Sequence, residues 1–478
     1  MDAPLPTPPC LCVDLDGTLV RSDLLAESLL LLVRRNPFYV LALPFWLLRG
    51  KAHMKQQIAR RARLDPVLLP FHRPFLHHLV QENRNGRTVV LATASDRMIA
   101  DDVAAHLGLF SAVHASDGKI NLRSEHKGAL LARLYGKGAF AYAGNSVVDI
   151  PVWREAGSAL LVNASPGLER SVASFVPVEK TFDSAGESMI QLVLRVMRPH
   201  QWVKNLLLLV PLITAHKLDS ASAIQGALQA LGVMCLLTSA IYVINDLFDL
   251  EADRAHPTKR ARPFASGALS LWSGMAMALV LLAVVAALAM MLPPLFRIWI
   301  LVYALAAILY SFLLKRWVVV DVLVLALLYT LRLLIGAAAI AVPVSAWLLT
   351  FAMFFFLSLA FLKRYAEIER AVRSADGITT VRGYRVGDLH AIGVFGAASG
   401  YLSTLVMALY VDGREIGLLY RHPDWLWGLS PLFLFWITRT WLIGFRGEME
   451  DDPVIFALKD PPTYAVAAAI GVCIVLAL

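Results

Sequence analysis

Charge is scarce in this sequence. Only 17% of its 478 residues are Asp, Glu, Lys or Arg, while 58% are hydrophobic. Soluble domains carry roughly a quarter charged residues, so the balance argues for a membrane protein. Cysteine is scarce too. Cys10, Cys12, Cys235 and Cys473 make no disulfide framework. Cys10 and Cys12 stand too close for an ordinary zinc site, and no second Cys/His pair has matching spacing. The opening "MDAPLPTPP" has neither a basic n-region nor an early apolar core. No signal peptide is therefore expected, and the first part of the chain is expected to stay in the cytoplasm.

Apolar residues are unevenly spread. Up to about Val178 the chain mixes charge and turn residues like a soluble protein; from about Asn205 long apolar runs recur. We expect a soluble domain over 1–178, a polar linker over 179–195 and a membrane domain over 196–478. A span needs roughly 20 apolar residues. Nine candidates meet that measure: 202–218, 224–244, 272–292, 296–314, 318–341, 346–362, 391–412, 425–444 and 460–478. The first is interrupted by Pro211. Short cytoplasmic loops are enriched in Lys and Arg. One side carries Arg195, Arg198, Lys204, Lys259, Arg260, Arg262, Lys315, Arg316, the cations of 363–390, Arg446 and Lys459; the other has little beyond Lys217, Arg297, Arg414 and Arg421. The basic side is assigned to the cytoplasm of a bacterial-type inner (plasma) membrane. The odd span count then leaves the C-terminus outside. Topology accounts for most of the +8 net charge, and nucleic acid need not be invoked.

One stretch breaks the apolar pattern: "IYVINDLFDLEADRAHPTKRARPFASG", Ile241 to Gly267. On a helix continuing past the second span, Asn245, Asp249 and Asp253 are spaced i, i+4, i+8, with Asp246 about 100° away. Four oxygen-bearing side chains would share one face, with Glu251 pointing elsewhere. Such hard donors suit Mg²⁺, which takes a few carboxylates plus phosphate oxygens and water. Lys259, Arg260 and Arg262, just beyond, suit phosphate oxygens.

"NDLFDLEAD" resembles the NDxxDxxxD motif of the UbiA superfamily of intramembrane prenyltransferases, "RPFASG" its RPxxSG, and "YSFLLKR" (Tyr310 to Arg316) its YSxxLKR. The resemblance covers roughly 190–478. It implies an all-α membrane domain of nine helices, Mg²⁺ held by Asn245, Asp246, Asp249 and Asp253, and catalytic roles for Asp249 and Asp253. "MRPHQWVKN" (Met197 to Asn205), "YTLRLLIGA" and "FLKRYAEI" are similar to the branch that contains decaprenyl-phosphate phosphoribosyltransferase. That branch implies a phosphoribosyl pyrophosphate donor and a polyprenyl phosphate acceptor. Most superfamily members carry a DxxxD at the second cap; here "KRYAEIE" offers Glu367 and Glu369 with Lys363 and Arg364, fewer acids and more cations. Substrate contacts are accordingly expected from Arg198, Lys204, Lys315, Arg316, Lys363, Arg364 and Glu367. Arg332 lies near mid-span, where an arginine costs about 2.5–3.5 kcal/mol to insert; a polar cavity holding an anionic head group would account for it.

In the soluble part, "CVDLDGTLV" (Cys12 to Val20) runs an apolar strand into Asp14-x-Asp16-Gly-Thr18. This resembles motif I of haloacid dehalogenase-like phosphatases, in which the first Asp attacks phosphorus and the second is the acid/base. The remaining motifs follow in order: Thr93 and Ser95 after "TVVLA", then Lys127, then Asn145 and Asp149 in "YAGNSVVDIPV". The resemblance implies an α/β Rossmann-like fold with a helical cap over about 22–88. It also implies Mg²⁺ held by Asp14, Asp16, Asn145 and Asp149, with phosphate bound by Thr18, Thr93, Ser95 and Lys127. A carboxylate nucleophile needs such a cation and lysine to tolerate a phosphate dianion. The family usually has an acid where Asn145 stands, so this site would carry less charge. The cap run "NPFYVLALPFWLLRGK" is too short and kinked to span; with basic flanks it reads as an interfacial segment.

The expected function is Mg²⁺-dependent transfer of 5-phosphoribose to a polyprenyl phosphate, with a fused phosphatase to remove the 5-phosphate. Two rivals are a conventional prenyltransferase using an aromatic acceptor, and a transport or lipid-binding protein with a regulatory soluble domain.

Overall fold

A computed structural model describes residues 10–183, 187–373, 380–381, 383–413, 416–449 and 452–478. The chain forms two compact units, Met1–Met197 with Tyr242–Leu279, and Arg198–Ile241 with Val280–Leu478. The first unit is thus discontinuous in sequence, and the acid-rich stretch of 245–253 folds within it.

Its centre is a six-stranded sheet: β1 (Cys10–Val13), β2 (Val89–Asp96), β3 (Ala112–Ser116), β4 (Phe140–Gly144), β5 (Ser158–Val162) and β6 (Val178–Phe182). The order is β3-β2-β1-β4-β5-β6 and every pairing is parallel. Parallel strands are covered on both faces and read as unbroken apolar runs; β1, β4 and the start of β2 are buried in this way. The order turns back at β1, so the crevice beyond the C-terminal ends of β1 and β4 is where such a sheet binds ligands. Motif residues from both strand ends fall there. The linker expected from 179 begins instead as β6, because Val178–Phe182 pairs with β5 and buries Phe182 in the core.

Helices Leu24–Arg35, Leu43–Leu48 and Lys51–Arg61 occupy the expected cap. Helix Arg73–Arg84, also expected there, sets Phe75 and Leu79 into the same core as Val13 and Leu91. Between them the short apolar stretch Pro37–Leu48 leaves Phe38, Leu41, Phe45 and Leu48 at least 69% exposed.

Among the described residues, seven helices are long and apolar enough to cross a membrane: Ala221–Phe248, Leu271–Ala289, Pro294–Phe312, Val320–Ala339, Ala346–Arg373, Val386–Val411 and Pro423–Phe445. Pro453–Lys459 and Pro461–Ala477 would make an eighth, bent by 85°. Nine is not reached. The expected first span is instead a 3₁₀ stretch, Pro199–Leu209, followed by the short helix Val210–Thr214. Pro199 and Pro211, which lack an N–H, sit at the starts of those pieces. With the count at seven or eight, span parity no longer places the C-terminus. The 3₁₀ stretch lies close against Val320–Ala339, where a Cβ at Gly336 would collide with the Leu208 carbonyl. Small residues permit such backbone approach between membrane helices.

Candidate active sites

In the first unit the acid motif starts in the last turn of Ala221–Phe248, then departs from the expected continuous helix. Asp249 (φ −98°, ψ 17°) separates that helix from Leu250–Ala255. The cause is a side chain inserted into the ladder: Arg34 Nη1 donates to the Phe248 carbonyl at 2.8 Å. The register nevertheless carries through, since the Asp249 N–H donates to the Asn245 carbonyl (2.9 Å) and the Asp253 N–H to the Asp249 carbonyl (2.8 Å).

The side chains divide. Asp246 and Asp253 are buried and converge on one atom, Arg262 Nη1, at 3.1 Å and 2.7 Å. Asp249 lies instead 3.6 Å from Arg34. Glu251 lines a small crevice with Arg34 and Leu31. Among the described residues, no three acidic, His or Cys side chains are grouped to hold a metal; the shared four-residue face is therefore replaced by a two-carboxylate clamp. The guanidinium of Arg262 stands where a cation fits between Asp246 and Asp253. Two carboxylates leave room for the phosphate and water oxygens that Mg²⁺ prefers. Of the other expected phosphate ligands, Lys259 begins the 3₁₀ turn Lys259–Ala261, and Arg260 faces a different cavity, lined also by Arg73 and Arg84.

The residues expected to form a phosphatase site in the same unit do converge. They line a cavity of about 540 Å³ beyond β1 and β4 that includes Asp14, Asp16, Ser95, Lys127, Asn145 and Asp149. Lys127 Nζ donates to Asp14 Oδ1 (2.7 Å) and to the Tyr142 hydroxyl (2.8 Å), which donates to Asp149 Oδ1 (2.9 Å). Asp149 Oδ2 accepts from the Asn145 and Ser146 N–H groups. Asp16 accepts from Ser95 Oγ (2.6 Å), Thr93 Oγ1 (3.5 Å) and the Leu24 N–H (2.8 Å). Thr18 Oγ1 donates to Asn145 Oδ1 at 3.4 Å. Gly17, at φ +76°, lets that asparagine lie directly over the turn, where a Cβ would clash.

Burial pushes the Asp14 carboxyl up to about 7, against the pull of Lys127. Burial, reinforced by Asp23, raises Asp16. Burial alone would discharge Lys127, but Asp14 and Asp149 outweigh it and its ammonium is held above the usual lysine value. Asp14, Asp16, Asn145 and Asp149 offer oxygen donors of the kind Mg²⁺ takes, although in this structure the three carboxylates are not drawn into one metal-holding group. Sequence reading missed Tyr142, hidden in the apolar run of β4, and Lys55, whose Nζ donates to the Ala94 carbonyl and Asn121. It missed Trp272 as well: its Nε1 donates to Asp23 Oδ2 at 3.0 Å, and it lines the phosphatase cavity with Ser270.

In the second unit the expected cations are mostly paired within the protein. Arg332 is not left facing an open polar cavity: it donates to Asn205 Oδ1 (3.1 Å), the Leu328 carbonyl (2.7 Å) and the Tyr303 hydroxyl (2.8 Å), and lies over the Tyr303 and Tyr329 rings. Arg364, fully buried, pairs with Asp321 (2.8 Å) and Glu367, while Tyr384 donates to Asp321 at 2.7 Å. Those two expected substrate contacts, Arg364 and Glu367, form an internal ion-pair triad with Asp321. Lys204 and Lys363 meet on one carboxylate, Asp452, with Lys363 at 3.4 Å. Asp452 carried no motif signal. Arg198 heads the Pro199–Leu209 stretch in a left-handed conformation, and Lys315 and Arg316 lie in a 3₁₀ turn before Val320–Ala339.

A profile of the UbiA prenyltransferase family matches residues 208–458, more than half of the chain. The chain belongs to that family. It is a UbiA-family transferase and a multi-pass membrane protein with an N-terminal α/β domain built on a parallel sheet. It is 36% identical over 473 residues to uncharacterized protein y4nM of Sinorhizobium fredii, covering 98% of this chain and 91% of the relative. It is also 36% identical over 273 residues to decaprenyl-phosphate phosphoribosyltransferase of Mycobacterium tuberculosis, covering 56% of this chain and 88% of that one. Among solved structures, a UbiA homolog from Archaeoglobus fulgidus bound to GPP and Mg²⁺ covers 59% of this chain and 99% of its own (18% identity, TM-score 0.47). A phospho-aspartyl intermediate analogue of phosphoserine phosphatase covers 37% of this chain and 94% of its own (16% identity, TM-score 0.26).

Proposed function

We propose that this UbiA-family protein transfers 5-phosphoribose from phosphoribosyl pyrophosphate to a polyprenyl phosphate, and that its N-terminal domain then removes the 5-phosphate. The observation that carries the reading is the meeting of Lys204 and Lys363 on the single carboxylate of Asp452. A second cap of the usual acidic kind would hold another metal; two ammonium groups against one acid leave positive charge for an additional phosphate. The match to decaprenyl-phosphate phosphoribosyltransferase, extending over 88% of that protein, points the same way.

In this reading Asp246 and Asp253 would hold Mg²⁺, which would supply positive charge for the departing pyrophosphate, with Asn245 and Asp249, once clear of Arg34, as lesser oxygen donors. Arg262 then turns from its carboxylates to the diphosphate oxygens. Holding donor and acceptor together supplies proximity. In the phosphatase cavity Asp14 attacks phosphorus as the bond to the ribose oxygen breaks, Lys127 orients that carboxylate, and Asp16, fixed by Ser95 and the Leu24 N–H, delivers its proton to the leaving oxygen. Asp16 then takes a proton from the water that hydrolyses the phospho-aspartate, releasing phosphate and restoring both acids. We read the basic loops as cytoplasmic, which would put both sites on that side of a bacterial plasma membrane.

Membranes containing the protein, given labelled phosphoribosyl pyrophosphate or labelled prenyl diphosphate, test the donor: label entering lipid from the first supports the proposal, and label moving only from the second replaces it with ordinary prenyl transfer. Thin-layer analysis tests the phosphatase. The native protein is expected to yield dephosphorylated lipid-linked ribose, and Asp14→Asn the 5-phosphorylated lipid.

A further inference from the structure

The first unit contains a second cavity, of about 950 Å³, that neither proposed reaction uses. Arg21, Arg73, Arg84, Arg254 and Arg260 line it, and among the described residues no carboxylate does. Arg254 is neutralised by Glu27, which lies outside the lining. Helix Arg73–Arg84 supplies much of one wall. Its Phe75 and Leu79 face the core, while Arg73, His77, Val80 and Arg84, spaced i, i+4, i+7, i+11, face the cavity. Apolar side chains, Leu69, Phe71 and Leu76 among them, share the lining with the arginines. A merely solvated positive surface would need no such apolar lining. Guanidinium groups gathered without acids select phosphate oxygens, and a concave apolar bed takes the hydrocarbon of the same molecule. The residues after the acid motif add Arg260, Ala265 and Ser266 to the lining. Arg21 also lines the phosphatase cavity, so the two spaces adjoin.

We propose that this cavity binds a phosphate-bearing amphiphile at a site separate from the Asp14 and the Asp246–Asp253 centres. The molecule can come from solution or from the bilayer as an anionic head group. Its phosphate pairs with Arg73, Arg84 and Arg260, and its apolar part lies on Phe71, Leu76 and Val80.

Hydrogen exchange on the full-length protein reads the site locally. In one arm the protein sits in phosphatidylcholine nanodiscs and geranyl phosphate is added from solution; in the other it sits in nanodiscs containing phosphatidylglycerol, with nothing added. Ligand is expected to slow exchange at least fivefold in residues 66–84 and 260–266 together. Slowing in the first arm assigns a soluble ligand, and slowing in the second a lipid head group. In the double variant Arg73→Glu, Arg84→Glu the slowing should vanish there, while exchange in β1 and β4 stays native and shows the fold intact. Absence of slowing in both arms, or equal slowing in the double variant, overturns the proposal. A milder pair, Arg73→Gln with Arg84→Gln, should give an intermediate effect if the charge-reversed protein unfolds; no change in that pair also overturns it.

Discussion

Arg254 grips both oxygens of Glu27, with Nη1 to Oε2 at 2.8 Å and Nη2 to Oε1 at 2.6 Å, and both side chains are almost wholly buried. Glu27 stands in the first turn of Leu24–Arg35, and Arg254 in the helix that carries Asp253. Removing one partner of a buried pair strands the other charge and costs about 3–5 kcal/mol. Glu27→Ala is therefore expected to lower the thermal midpoint of the full-length protein, and Glu27→Leu combined with Arg254→Met to restore most of the loss. A single variant within about 1 kcal/mol of the parent would show that the pair is solvated rather than buried.

The two-carboxylate clamp predicts an order among the acids. Asp246→Asn and Asp253→Asn should each reduce transfer by about a hundredfold or more, as loss of a charge-stabilising group at a reacting centre does. Asp249→Asn should cost less, because its carboxylate lies by Arg34. Glu251→Ala should stay within about twofold of the parent, the scale of an ordinary surface change. Transfer assays in membranes check the ranking; a Glu251 variant as impaired as Asp253→Asn would refute it.

Tyr142 bridges Lys127 to Asp149 through one hydroxyl. Tyr142→Phe removes the bridge without emptying the core. Phosphate release from a soluble phosphomonoester should fall about tenfold or more with KM little changed, since a misaligned lysine alters the reacting geometry more than binding. Unchanged turnover would mean that Lys127 is held by Asp14 alone.

Arg332 should behave as a packing residue. Its three hydrogen-bond partners are all protein groups. Arg332→Gln is expected to destabilise the detergent-solubilised protein by about 1–3 kcal/mol, the cost of leaving buried partners unsatisfied, with KM for both substrates within about twofold in the surviving fraction. A tenfold rise in KM at unaltered stability would return Arg332 to the substrate site.

Local chemistry was legible in the sequence wherever one short segment carries it. Asp14 and Asp16 follow an apolar strand, and Asn145 and Asp149 another, so a parallel sheet brings them to one edge. Long apolar runs announced most of the membrane helices for a similar reason, because lipid demands unbroken hydrophobic length. What stayed hidden depends on partners distant in sequence. Nothing near Phe248 announces that Arg34 will take its carbonyl and break the helix. Asp452 gains its importance only from lysines far away in the chain. Arg364 reads from its sequence as a substrate contact, whereas Asp321 and Tyr384, distant in the chain, enclose it in an internal network. Pro211 was visible, but periodicity did not show that the residues before it would wind as a 3₁₀ stretch.

The discontinuity of the first unit bears on modularity. A break between residues 197 and 242 looks like the natural place to part a soluble enzyme from a membrane one, yet a fragment ending there would lack Arg254 against Glu27 and Trp272 against Asp23. Such a fragment would carry every phosphatase motif and still be missing part of its own wall. The two candidate sites are therefore not beads on a string that gene shuffling could exchange freely. A sequence change in the motif loop of one is inherited as a change in the scaffold of the other.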